Sequence, residues 1–437
     1  MLISFLVRSA PESRILSAIK RAGAPGVLLR ESLLFRAISS STRTLRDEFR
    51  RSVVGSLLSG ALATAGRALK SASNLIPGWD AWPARAAADL LVGPWSLALG
   101  LGFFFCLAEV SYSPPTRIAI FTGLAGCLLG LALGGLEARD LRISRRGFTP
   151  RLGWILLLVG VAGFALQIRH AGGIPLLNEE VRRRLSPIYN YLAWSVVPGV
   201  ALILGSSEPR TDEETGLLLA ASLSSLAVVT LLGYRTEMVA LLLAVVASSY
   251  LRGLMRPMTA LALTIGISSL YLAATFARLA GSGLPVSPWS AALERVTLTA
   301  SYFDLLVQRF GYGGVTHGSV HAAVFSSLAR WIPGPRIGPR TIVADLVGAR
   351  PGVSVTASIL AQFYLDFGVV GVFLGMAALS FLLRLLYSRE SPGPYAVLYS
   401  YSLVGIETGL LDLNVYSYIA VAVVAAALSF RVGEEGG

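Results

Sequence analysis

Cysteine and lysine are nearly missing from this 437-residue chain: Cys106 and Cys127 are the two cysteines, and Lys20 and Lys70 the two lysines among 37 basic residues. Both cysteines fall in apolar runs, so they read as small core residues and not as a disulfide or metal framework. Charge is scarce as well. Charged residues make up 14% of the chain, against about 25% in an average soluble protein. Hydrophobic residues make up 54% and mean hydropathy is +0.66. Apolar runs of about 20 residues recur along the chain. These values describe an all-α polytopic membrane protein. The runs are helix-length and do not alternate, which excludes a membrane β-barrel. No P-loop, GxSxG, HExxH, cysteine-nucleophile context or DxD pair is found, so the chemistry points away from a metal and from any cofactor.

What the chain does have is arginine. The net charge is +12. In a soluble protein this would raise nucleic acid as a partner; here no nucleic acid is expected, because cytoplasmic loops of membrane proteins collect basic residues. Residues 1–76 carry twelve Lys/Arg and four Asp/Glu between apolar residues. They read either as a basic amphipathic segment on an anionic membrane face or as a solvated cytoplasmic arm. Arg8 and Glu12 interrupt any signal-peptide core. A domain plan follows: 1–85 as the N-terminal segment, 86–276 as seven membrane helices, 277–355 as a long polar loop with short helices, and 356–437 as three further helices. The expected total is about ten spans, within nine to twelve.

The loop from Glu137 to Arg151 holds five arginines and is placed in the cytoplasm. Counting from it puts both termini inside and the segment 277–355 outside. The absence of an internal repeat or of paired broken helices weighs against a secondary transporter.

The segment 277–355 carries seven arginines, no lysine, and His317 and His321. Arginines at span ends beyond the outer leaflet suit an anionic phosphate, because the guanidinium fork donates two parallel hydrogen bonds. Arg235 is the sharpest candidate, at the junction of two apolar runs beside Glu237. An ionisable residue at such depth is a functional hypothesis by default, and snorkelling to the interface is its structural alternative. Arg336 and Arg340 lie in the stiff run Pro333–Arg340, where three prolines and two glycines preclude a continuous helix. Arg169 and Arg182 sit on the preceding outer loop. His317 and His321 are spaced i, i+4. If 316–329 is helical, they share a face as a metal pair, as a general base, or as structural hydrogen-bonding groups. Asp366, inside an apolar run, is a rival base or an arginine partner. Aromatic residues near these groups (Tyr234, Tyr312, Trp331, Tyr364) and Asp304, which follows Tyr302 and Phe303, are candidate sugar contacts.

Three pieces resemble the oligosaccharide repeat-unit polymerases, the Wzy-type O-antigen polymerases. They are Gly172-Gly173-Ile174-Pro175-Leu176-Leu177 with Arg182; Gly233-Tyr234-Arg235; and Ile332-Pro333-Gly334-Pro335 followed by Thr356 and Tyr364-Leu365-Asp366-Phe367-Gly368-Val369-Val370-Gly371. The resemblance covers about 152–385. It implies a GT-C-like membrane glycosyltransferase of the cytoplasmic membrane, acting on its outer face. Its partners would be polyprenyl-(pyro)phosphate-linked oligosaccharides and the lipid bilayer, with a chain-length regulator or a flippase as further candidates. The lipid phosphate would leave as a hydroxyl of another lipid-linked unit attacks. Arg235 is the implied phosphate ligand, with Arg336 and Arg340 behind it. A similar arginine and histidine arrangement in the related O-antigen ligases fits His317 or His321, with His317 the favoured base. Transfer to a different acceptor, as in a ligase, and transport of the lipid-linked glycan are the alternatives.

Overall fold

The computed structural model describes residues 63–64, 67, 82–137, 142–143, 149–176, 178–267, 288–326, 333–335, 337–349, 355–387, 392–410, 412–427 and 430–431. Most of the basic N-terminal segment, the start of the long loop, Trp331 and Arg336 lie outside these residues, and with them the expectations placed there.

Among the described residues the chain is a helical bundle. In order, the helices are α1 (Trp82–Val92), α2 (Ser96–Leu107), α3 (Pro114–Glu137), α4 (Thr149–Ala171), α5 (Glu179–Arg183), α6 (Pro187–Trp194), α7 (Val196–Ser206), α8 (Asp212–Leu231) and α9 (Arg235–Leu251). There follow α10 (Pro257–Ile267), α11 (Pro288–Phe310), α12 (Ser319–Ser326), α13 (Pro339–Leu346), α14 (Ser358–Leu386), α15 (Gly393–Thr408) and α16 (Leu413–Ala427). Five helical stretches are long and apolar enough to cross a membrane: those of α3, α4, α6–α7, α8 and α14. The bent pair α1–α2 brings the number to six. The other four expected spans fall on α9, α10, α15 and α16, which are shorter than a straight crossing needs.

Small residues set the closest helix contacts, as expected where lipid gives helices no hydrophobic reason to associate. A Cβ on Gly126 would come within 2.4 Å of the Phe373 carbonyl oxygen, and one on Gly130 within 2.1 Å of that of Ala377. These glycines let α3 lie along α14.

Two breaks interrupt otherwise membrane-length helices. Pro94 cannot continue α1, because its ring excludes the helical hydrogen bond and restricts Gly93 before it; α2 leaves at 80° to α1. Buried tyrosines one turn apart on α15 meet the carbonyls at the break: the Tyr395 hydroxyl donates to Val92 O (2.6 Å) and that of Tyr399 to Leu91 O (2.9 Å). Inside a bilayer every freed backbone group needs such a partner. The second break is at Gly368 in α14, where φ is 64° and ψ −155°.

The two ends of the bundle are distinct. At one end a two-residue antiparallel pairing joins Arg142–Ile143 to Phe430–Arg431, so these residues share a side. The other end gathers the turns before α3 and α9, α5, the described helices α11 to α13, and the turn before α16.

Candidate active site

The break at Gly368 builds the first half of the site. It leaves Leu365 O and Val369 N without helical partners, and the glycine-rich loop 311–316 supplies them. Val315 N and Thr316 N donate to Leu365 O (2.7 and 2.9 Å), and Val369 N donates to Tyr312 O (3.1 Å). The fit demands glycine on both sides: a Cβ on Gly368 would meet Tyr312 O at 2.3 Å, and one on Gly314 would meet Asp366 O at 2.4 Å. The Tyr364 hydroxyl donates to Gly311 O, and its ring packs edge-on to Phe303 inside the core.

Asp366, in the last turn before the break, is 1% exposed. Its carboxylate faces the start of α12. It accepts from Val320 N (3.0 Å) and His321 N (2.9 Å), from Thr316 Oγ1, and pairs with Nδ1 of His321. A carboxylate at Nδ1 favours a proton there, which makes Nε2 the acceptor nitrogen in that tautomer. Phe363 stacks on the imidazole at 5.6 Å, and the Tyr416 ring meets it edge-on at 6.3 Å. The imidazole keeps 24% of its side-chain surface exposed while the Asp366 carboxylate is fully covered.

His317 does not share this arrangement. The helix starts at Ser319, and His317 is exposed in the preceding turn with φ 46°. Gly318, Gly313 and Gly314 keep the chain from winding earlier, so the i, i+4 pair does not lie on one helix face. Among the described residues no three His, Cys, Asp or Glu are grouped to hold a metal.

The second half of the site is built on arginine. Asn178 caps α5 by accepting from Glu180 N (2.8 Å) and Val181 N (3.4 Å), which sets Arg182 5.7 Å above the Tyr234 ring. Tyr234 precedes α9. Its hydroxyl accepts from Asn190 Nδ2 (3.1 Å) and its ring abuts Trp194 at 4.9 Å. Burial raises the Tyr234 phenol above its ordinary range. Leu176 N donates to Leu231 O (3.0 Å) and Leu176 packs against Gly233, whose φ is 76°. The Gly-Gly-Ile-Pro-Leu stretch therefore seats against Gly233-Tyr234-Arg235. Arg235 opens α9 half-buried. Arg169 is exposed at the end of α4.

The proline-rich run is fastened to α12 by Ser326 Oγ donating to Pro335 O, and α13 to α11 by Arg309 donating to Leu346 O (2.7 Å). Pro339 starts α13, where its missing N–H costs nothing. Arg340 follows and pairs with Asp412, just before α16.

The start of α16 joins the two halves, a role its sequence does not advertise. Asp412 holds Arg340 and, one turn on, Tyr416 meets His321. Asn414 donates to Glu237 (2.9 Å), which also accepts from the Tyr401 hydroxyl (3.0 Å), and the Tyr418 hydroxyl donates to Tyr191 O (2.8 Å). Asp412, Asn414 and Tyr416 fall between apolar runs that read as two membrane helices and a turn. The only signal was two polar side chains, Asp412 and Asn414, within three residues.

Two candidate sugar contacts sit elsewhere. Asp304, 6% exposed, accepts from Ser113 N (3.0 Å) and Ser113 Oγ (2.9 Å) and from Gln308, tying α11 to the turn before α3. Burial pushes its carboxyl up, but hydrogen bonds from Thr116, Ser113 and Gln308 outweigh this and hold it below the usual carboxylate range. Tyr312 is 58% exposed on the loop at the Gly368 break.

Comparison with known proteins agrees with the pattern of the chain. A family described as "Putative O-antigen polymerase" matches residues 93–419. An uncharacterized protein of Methanocaldococcus jannaschii is 28% identical over 291 residues, covering 65% of this chain and 78% of that one. No solved structure matches. The matched region runs from α2 into the first half of α16 and includes both halves of the site, and the chain belongs to the O-antigen polymerase family.

Proposed function

We propose that the protein polymerises lipid-linked oligosaccharide units on the outer face of the cytoplasmic membrane, with His321 as general base and Arg340, Arg182 and Arg235 as ligands of the leaving phosphate. The observation that carries this reading is the His321–Asp366 dyad, joined through the first turns of α16 to the Arg340 pair.

The chemistry follows from the groups. His321 Nε2 accepts the proton as the acceptor hydroxyl oxygen bonds to the anomeric carbon of the donor. The bond from that carbon to the phosphate oxygen breaks, and the lipid (pyro)phosphate leaves with the electron pair. Asp366 keeps the imidazole in the Nδ1–H tautomer and stabilises the imidazolium, in the manner of an aspartate behind a catalytic histidine. The guanidinium groups stabilise charge that grows on the departing oxygen. The leaving group is already activated, so positioning and charge stabilisation are the main demands. His317, exposed and outside α12, has no such orienting carboxylate among the contacts of the site.

Purified protein in nanodiscs supplied with a polyprenyl-pyrophosphate oligosaccharide tests the reading. A ladder of products supports polymerisation. A single transfer to another acceptor indicates a ligase, and no new glycosidic bond overturns both.

A further inference from the structure

Resting on the reading of Arg340 as a phosphate ligand, we infer that Asp412 occupies the phosphate's place on Arg340 when no donor is bound, and is displaced from it by the donor.

The geometry of the guanidinium is the starting point. Nε–H and Nη2–H form one edge of the fork, and a matching anion fills both. Asp412 takes Nη2 through Oδ2. Arg340 Nε, on the same edge, is buried and makes no hydrogen bond among the described residues. An unmet buried donor of a charged group is unfavourable, because it has lost water and gained nothing. The Asp412 contact is thus a half-made version of the contact that a phosphate, with oxygens on a tetrahedron, completes.

The surroundings allow an exchange. The Arg340 side chain is 28% exposed and that of Asp412 38%, so the pair lies at the rim, within reach of an arriving anion. The backbone behind Asp412 is fixed. Gly409 turns the chain at φ 72°, and Leu410 N donates to Gln362 Oε1 (2.7 Å), one turn before Asp366 on α14. Displacement therefore needs only rotation of the Asp412 side chain, and leaves α16, Tyr416 and the dyad where they are. Once displaced, the carboxylate remains beside the bound phosphate as a like charge. It competes for Arg340 and favours release of the lipid phosphate after transfer. Asp412 is in this sense a regulator of phosphate occupancy and not a catalytic residue.

Asp412→Asn keeps the size and an acceptor for Arg340 but removes the charge. The test measures binding of inorganic pyrophosphate, and separately of a polyprenyl phosphate in nanodiscs, to wild type, D412N, and the double variant D412N/R340Q. The expected result is about tenfold tighter pyrophosphate binding to D412N, roughly the worth of one charge contact, and loss of that gain in the double variant. Tightening toward the polyprenyl phosphate alone would assign the exchange to the lipid carrier and not to free phosphate. Single-turnover transfer by D412N should persist while steady-state turnover falls through slow release. Equal or weaker binding by D412N of both probes overturns the inference and makes Asp412 a support for Arg340. Absence of binding to wild type and variants alike overturns the phosphate reading itself.

Discussion

At one end of the bundle Arg252 donates to Ser207 O (3.0 Å) and pairs with Glu208, closing the turn between α7 and α8 against the end of α9. At the other end Arg340 pairs with Asp412, while its Nε is left without a partner. Both arginines are largely covered and both face a carboxylate. The first fastens neighbouring turns, and its acid stands 51% exposed. The second is tied through Asp412 to the start of α16, whose Tyr416 meets the His321 ring of the dyad. Arginine count alone does not distinguish a topological anchor from a ligand; on the proposed reading, the unmet hydrogen-bonding capacity of Arg340 marks the difference.

That contrast is broken most severely at the dyad. Asp366→Asn keeps the shape but can no longer hold the Nδ1–H tautomer, and elongation is expected to fall about 10²–10⁴-fold, the usual worth of a positioned base, as read from initial rates of ladder formation. Arg340→Ala is expected to lower kcat/KM about 10- to 100-fold, the range of one or two charged hydrogen bonds. Arg340→Lys should recover only part of this, because an ammonium lacks the fork; full recovery would reduce Arg340 to a point charge. Arg252→Ala at the opposite end should leave elongation within about twofold while lowering thermal stability by about 1–3 kcal/mol, through the unpaired groups it leaves behind. His317→Ala should change elongation less than Arg340→Ala does, and a loss as large as that of Asp366→Asn would move the base to His317. The smallest effect concerns Asp304. Its carboxyl is held below the usual range, so its contribution to stability is present above the unfolded pKa and fades as pH falls through the lowered folded value. Asp304→Asn should remove this acid-side dependence in a melting series and leave elongation at neutral pH unchanged.

Much of the architecture was legible in the sequence because hydropathy and arginine placement report the solvent each segment meets. The long polar segment and the proline- and glycine-rich run Pro333–Arg340 have local causes in composition; the meeting of Leu176 with the turn at Gly233 does not, and neither stretch announces it. The pairing of His321 with Asp366 has no local cause either. It spans 45 residues and depends on Gly368 breaking a helix whose hydropathy reads as continuous. The i, i+4 spacing of the histidines presumed a helical turn, and the glycines around His317 deny it. The contacts of Glu237 with Asn414 and Tyr401 were hidden because each residue lies in a different apolar helix and they meet only when α9, α15 and α16 pack.

Elongation and pyrophosphate binding measured together on purified His321→Asn in nanodiscs test the assignment of the base most directly. Loss of the product ladder with pyrophosphate binding unchanged from wild type is the predicted result, since the base and the phosphate ligands are separate side chains. A full ladder from that variant would contradict it.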